Sequence, residues 1–371
     1  MIGIKTIVKS LGLFTILLFV LVILVSIDQG PLISVQSMIL GILGSIIIIM
    51  FASGIARKIN LVDIPDNQRR DHIGSIPLVG GFGVFFSLAY GAIVFGVDLF
   101  HVYILIALIP IIIVGTIDGL QGINISAVYR VIAQIIACWI VILASDIYIK
   151  DLGDLFGFGN FQLGKLGIPF TIFAIVGICN AFNMLDGKDG LLGTVSIVII
   201  MSLILFLFLS KALYIWPIAL MQSILIFLCF NLSLFGKSRK IFLGDHGSTG
   251  IGFILAWELI FLSQELSLIS PISAVWLVLL PLTDAILTFF RRIRSENSIF
   301  EADRLHLHHI LSDSGFKNNS ILAISALITA FGSITALFAN LYQLEEYNLF
   351  YAYMTLLVIG ILLSNEKKKE A

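Results

Sequence analysis

Charge is scarce in this sequence: Asp, Glu, Lys and Arg make up 12% of 371 residues, against 59% hydrophobic residues. The mean hydropathy is +1.07. A water-soluble domain cannot hide so much apolar surface, whereas a bundle of spanning helices leaves it to lipid. Cysteine is nearly absent. Cys138, Cys179 and Cys229 lie singly inside apolar runs without CxxC spacing, which argues against a disulfide framework or a cysteine-ligated zinc and leaves buried thiols. Internal repeats and low-complexity segments are lacking, no gap between the apolar runs could house a soluble domain, and no feature points to nucleic acid as a partner.

What the chain does have is apolar runs of spanning length. They fall at about residues 10–27, 36–56, 77–97, 101–117, 128–145, 166–184, 190–209, 212–234, 247–263, 268–289, 319–341 and 348–364. The fold expected is an all-α, polytopic transmembrane helix bundle of 11–12 spans with cytoplasmic catalytic loops. The first run follows Lys5 and Lys9, lacks a small-x-small cleavage site and exceeds a usual signal core, so an uncleaved helix is expected there. If the runs cross the bilayer in order, 19 of the 22 Lys and Arg residues fall on one side; only Lys150, Lys165 and Lys211 fall on the other. By the positive-inside rule both termini are cytoplasmic, and the Gly-rich gap 146–165 is external. The chain divides into N-terminal spans (1–56), a core with its loops (57–318) and C-terminal spans with a basic tail (319–371).

Five cytoplasmic segments carry more chemistry than connectors need. The first holds Asp63, Pro65, Arg69, Arg70 and His72, a cationic cluster suited to an anion, followed by Gly80-Gly81, a pair that favours close helix packing over phosphate cradling. The second is Asp118 at a helix mouth, with Gly119 after it and Arg130 and Gln134 further on. The third runs from Asn180 to Leu191 and places Asn180, Asn183, Asp186 and Asp189 at every third position. On a continuous helix Asn180 and Asp189 would face opposite ways. Gly187 and Gly190 allow a break that folds the carboxylates back beside the amides, an oxygen-rich site suited to Mg²⁺ holding a diphosphate.

The fourth is Phe242-Leu-Gly-Asp245-His-Gly-Ser248, preceded by Asn231, Lys237, Arg239 and Lys240; its glycines permit close approach of a phosphate. The fifth holds Asp284, expected to pair with an arginine just beyond it, then Arg291, Arg292, Arg294, Asp303, Arg304, His306, His308 and His309. Three histidines so close suggest either zinc or an anion, and the surrounding arginines favour the anion. Glu258 has no motif around it and is expected to be structural.

Over roughly residues 55–315 these segments together resemble the polyprenyl-phosphate N-acetylhexosamine-1-phosphate transferases, in the family's motif order. Asp63-x-Pro65 with Arg69-Arg70-x-His72, Asn180 to Leu191 (NxxNxxDGxDGL) and Phe242 to Ser248 (FxGDxGS) carry the likeness. The stretch Asp303 to His309 looks like the histidine loop of the branch that uses UDP-N-acetylglucosamine and undecaprenyl phosphate, bacterial inner-membrane enzymes that start O-antigen, enterobacterial common antigen or teichoic acid linkage units. Two features depart from the pattern: Asp118-Gly119 stands where the family has two aspartates, and one apolar run is extra at the N-terminus.

The resemblance implies roles. Asn180 and Asp245 would ligate Mg²⁺ (or Mn²⁺), with Asp186 and Asp189 positioning or ligating beside them, and Asp118 would ready the acceptor phosphate. Arg304, His306, His308 and His309 would hold the donor's phosphates, with Asn183, Arg70 and His72 assisting at the substrate. The partners implied are a UDP-N-acetylhexosamine, undecaprenyl phosphate and membrane lipids, with a homodimer one open option. A transporter of anionic lipid or nucleotide would instead place acids near mid-span and show inverted repeats. An inert assembly partner remains the reading suggested by Gly119.

Overall fold

A computed structural model describes residues 35–64, 74–123, 125–294 and 306–366. The apolar run at 10–27 lies outside them, as do Pro65, Arg69, Arg70, Asp71, His72, Arg304 and the basic tail. The remaining eleven runs coincide with helices. These are α1 (Val35–Lys58), α2 (Gly80–Phe95), α3 (Leu99–Asp118), α4 (Ala127–Ser145), α5 (Gly167–Leu185), α6 (Leu191–Leu209), α7 (Ile215–Asn231), α8 (Asp245–Ile260), α9 (Pro271–Leu277) with α10 (Leu279–Arg294), α12 (Asn318–Leu341) and α13 (Glu346–Glu366). A short α11 (Leu307–Asp313) precedes α12.

Six of these regions are long and apolar enough to cross a membrane, seven if a bent pair counts as one span, and α2, α7 and α13 are shorter apolar helices. The protein is therefore a polytopic helical membrane protein. The most enclosed helix is α8, buried at every position from His246 to Ile260, whereas only 22% of the spanning window of α1 is buried. Its sides meet other helices, chiefly α5, α3 and α2. In addition, α3 pairs with α4, α2 with α7, and α12 with α6.

One run differs from the expectation of a straight span. Residues 268–289 break at Val278, where α9 and α10 meet at 82°. Pro281 suits the break: it has no N–H to bond back to Leu277 and sits in the first turn of the restarted helix.

The first loop folds as a hairpin of β1 (Val62–Asp63) and β2 (Ile76–Pro77), antiparallel, with Val62 opposite Pro77. Its exit is sewn to the Gly244 loop. Phe242 N donates to Pro77 O at 2.9 Å, Gly80 N to Phe242 O at 2.9 Å, and Gly81 N to Leu243 O at 3.1 Å. Gly80 and Gly81 are needed for this approach, since a Cβ on Gly81 would come within 2.6 Å of Gly247 Cα. The glycine pair serves packing.

At the opposite end of the bundle the 146–165 loop is anchored by side chains from distant helices. Gln264, in a π-helical turn at Phe261–Glu265 that ends α8, accepts from Lys150 N at 2.8 Å, and Glu346 accepts from Asp154 N at 2.7 Å. Between helices at this end, Glu258, 1% exposed, meets His101 Nε2 at 3.3 Å and accepts from the Tyr214 hydroxyl. A buried carboxylate held by two partners is a structural knot, as expected for Glu258.

Candidate active site

The other end of the bundle gathers the polar termini of α3, α5, α8 and α10 and the first turns of α4, α6 and α12. Asp118 closes α3. Its Oδ1 accepts from Ile125 N at 3.1 Å, and its Oδ2 lies 3.3 Å from Nη1 of Arg130 in the first turn of α4. The same Nη1 donates to Asp245 Oδ2 at 2.6 Å. One guanidinium thus clasps carboxylates 127 positions apart in the chain, and Asp245 is set at the start of α8 by Gly244, whose φ of +78° is left-handed.

The segment after Asn180 breaks as its glycines suggested. α5 ends at Leu185, Gly190 takes φ +78°, and α6 starts at Leu191. Asn180 Nδ2 donates to Gln134 Oε1 at 3.0 Å and to Val176 O at 2.7 Å, so Oδ1 is the edge left for a cation. Asn183 Oδ1 accepts from Ser248 Oγ at 2.7 Å. Asp189 pairs with Lys240 at 2.5 Å. Asp186 has no basic partner among the described residues. The surrounding protein, together with the carboxylates of Asp245 and then Asp189, pushes its carboxyl well above the usual range.

Two residues named from sequence only as neighbours of motifs prove to be organisers. Asn231, buried at the end of α7, accepts from Gly190 N at 2.7 Å and donates to Ile241 O at 3.0 Å, tying the acid loop to the Gly244 loop. Arg130 was noted only as a nearby basic residue. A lone cation in the first turn of a helix that follows an acid-tipped one was the available signal.

The histidine segment docks against the acid loop. His308 is 2% exposed, and a Cβ on Gly187 would be driven into its Nε2 and to 2.9 Å from its Cε1. Burial, and then His309 beside it, lowers the His308 pKa to about 3, so its ring is neutral at ordinary pH and brings no charge to a phosphate. Neither of its ring nitrogens has a partner among the described residues. The His309 ring packs tilted against it, with centroids 4.2 Å apart, and Lys188 of the acid loop donates to Ser312 at 3.2 Å. The expectation that Asp284 pairs with an arginine is corrected: His306 Nδ1 lies 2.9 Å from its Oδ2. The arginines continue along α10, and His306 stands beside the helix at Asp284.

Gly119 packs close to the hairpin exit, where a Cβ would meet Leu61 Cδ1 at 3.0 Å and Leu78 Cδ1 at 3.1 Å. The place of a second aspartate is thus partly closed by leucines.

These donors are oxygen-rich, and burial together with the neighbouring carboxylates of Asp245 and Asp189 raises the Asp186 pKa. Among the described residues no three His, Cys, Asp or Glu side chains form a metal-holding group. Carboxylate and amide oxygens such as those of Asp186, Asp245 and Asn180 are of the donor type that Mg²⁺ takes alongside water and substrate phosphate.

Comparison with known proteins gives a consistent result. The family model described as Glycosyl transferase family 4 matches residues 101–263. The undecaprenyl-phosphate alpha-N-acetylglucosaminyl 1-phosphate transferase of Escherichia coli K12 is 33% identical over 318 residues, 85% of this chain and 84% of that protein. Proteins of the same description from Yersinia pestis (34% over 290 residues, 77% and 79%) and Haemophilus influenzae (31% over 330 residues, 86% and 90%) are similar to comparable extents.

Proposed function

The chain belongs to glycosyl transferase family 4, among the membrane glycosyl-1-phosphate transferases that act on polyprenyl phosphates, and we propose that its own reaction moves N-acetylglucosamine 1-phosphate from UDP-N-acetylglucosamine to undecaprenyl phosphate. The observation that supports this most is the meeting of Asp118, Asp186, Asp189 and Asp245 with Arg130 and Lys240 at one end of the bundle. Charge placement along the sequence puts that end at the cytoplasmic face, where a cytosolic nucleotide sugar meets a lipid phosphate at the headgroup plane. The catalytic unit is assigned to residues 57–318.

In the reaction an oxygen of the acceptor phosphate attacks the sugar-bearing phosphorus of the donor. A P–O bond forms, the P–O bond to UMP breaks, and UMP leaves with the bonding pair. Phosphoryl transfer asks chiefly for alignment and charge stabilisation, so in-line displacement suffices. Asp245 and Asn180, with Asp186 beside them, are assigned to hold Mg²⁺ (or Mn²⁺), which when bound neutralises charge along the diphosphate.

Asp118 orients the acceptor through its contact with Arg130, and that guanidinium is placed to turn from carboxylates to phosphate. Asp118 is also the carboxylate assigned to ready the acceptor phosphate for attack. His306 and His309, with Arg304, are assigned to the donor phosphates, while His308 acts as the wedge that seats them. Arg70, His72 and Asn183 keep supporting roles at the substrate. The glycan served is assigned to the lipid-linked cell-surface polysaccharides.

The test is direct. Purified protein in detergent receives undecaprenyl phosphate, Mg²⁺ and, separately, several UDP-N-acetylhexosamines, and the lipid is identified by mass spectrometry. Undecaprenyl diphosphate N-acetylglucosamine with equimolar UMP is expected, and Asp186→Asn should abolish it. A different sugar on the lipid would overturn the donor assignment. Substrate moved across liposomes without chemical change would indicate a transporter and overturn the reaction.

A further inference from the structure

Asp284 sits within α10 and is only 7% exposed, a costly place for a carboxylate without partners. Its two oxygens do separate things. Oδ2 lies 2.9 Å from Nδ1 of His306, and Oδ1 accepts the backbone N–H of Leu307 at 2.8 Å. Thr288, one turn further along α10, stands 3.3 Å from the same Nδ1. The helix that follows, α11, has no side-chain cap of its own, since His306 at its N-cap position makes no such bond. Asp284 therefore supplies the missing cap from another helix, satisfying one of the orphan N–H groups of the first turn.

Holding Nδ1 against a carboxylate makes Nδ1–H the donor and fixes the ring plane, so that Nε2 is the edge left for another partner. The contacts then run in sequence. The His306 ring lies parallel to that of His308, with centroids 5.9 Å apart, and His308 rests on Gly187 of the acid loop. Asp284 is thus the far end of a rigid line that leads to Asp186 and Asp189.

We infer that Asp284 is a positioning residue for the donor site: it docks the first turn of α11 and aims the free edge of His306 at the diphosphate of the nucleotide sugar. This rests on the proposed function, because the group to be held is the donor's. Asp284 touches no substrate, so its effect passes through His306.

The experiment compares wild type, Asp284→Asn, His306→Gln and the double variant, as full-length protein in detergent with UDP-N-acetylglucosamine, undecaprenyl phosphate and Mg²⁺. Loss of a hydrogen bond to an ionised group corresponds to about a tenfold effect. Each single variant should raise KM for UDP-N-acetylglucosamine about tenfold, with KM for undecaprenyl phosphate held within about twofold. The double variant should be no worse than His306→Gln alone. Unchanged donor KM in Asp284→Asn, or multiplied losses in the double variant, would overturn the inference. So would an Asp284→Asn protein that aggregates on size exclusion while His306→Gln stays monodisperse, because Asp284 would then be holding the fold and not the ring. Wild type that forms no lipid product refutes the function itself, whereas active wild type with an unaffected Asp284→Asn refutes positioning alone.

Discussion

Gly187→Ala tests the contact by which the histidine segment reaches the acids. The added methyl would be forced into His308, with Cε1 at 2.9 Å, and His308 is held from behind by His306 and His309. Overpacking of this kind costs about 1–3 kcal/mol. At 371 residues that corresponds to a fall in Tm of roughly 1–4 °C. Gly187 is outside the left-handed region, so alanine carries no backbone penalty there.

The measurement is thermal unfolding by intrinsic fluorescence in detergent, with donor KM recorded alongside. The decisive comparison is made in a His308→Ala background, where the space is vacated. There the same Gly187→Ala change should cost nothing or stabilise by about 0.4–1 kcal/mol through the unfolded chain. Donor KM should rise in Gly187→Ala alone, since α11 is displaced. An equal Tm loss with and without the His308 ring would refute the reasoning.

Three further outcomes follow from the same geometry. Asp186 titrates above its unfolded value, so metal-free protein loses stability as pH rises from about 4, where the unfolded carboxyl ionises; Asp186→Asn should remove that slope in Tm measured with EDTA across pH 5–8. Asn231→Ala strands a buried N–H and C=O and should cost about 1–3 kcal/mol, seen as a lower Tm together with weakened activity. Glu258→Ala, far from the acids, leaves His101 and Tyr214 without their carboxylate. It should destabilise by about 3–5 kcal/mol, lowering yield and Tm while the donor KM of the surviving protein stays unchanged.

Much of this was legible in the residues. Apolar runs of spanning length reported the helices because length and hydropathy alone decide what lipid accepts. The Asn180 to Leu191 spacing reported the acid loop, because glycines there permit the break, which Gly190 makes at φ +78°. The bend at Val278 was legible in principle from Pro281, but hydropathy is blind to a missing N–H. Partners across sequence were not legible. Asp284 meets His306, 22 residues on, a partner that no local spacing in the sequence announces. Arg130 carried no motif, and its importance comes from standing between two helix ends that only the fold brings together.

Iron-directed cleavage tests the convergence itself. Fe²⁺ substituted for Mg²⁺ in the purified protein, with ascorbate and peroxide, cuts backbone close to the bound ion, and mass spectrometry maps the cuts. The account predicts cuts near Asp118, around Asp186 to Asp189 and near Asp245 in the same sample, all suppressed together by excess Mg²⁺ and lost in Asp186→Asn. Cuts confined to one of these segments, or segments protected by Mg²⁺ independently of one another, would contradict it.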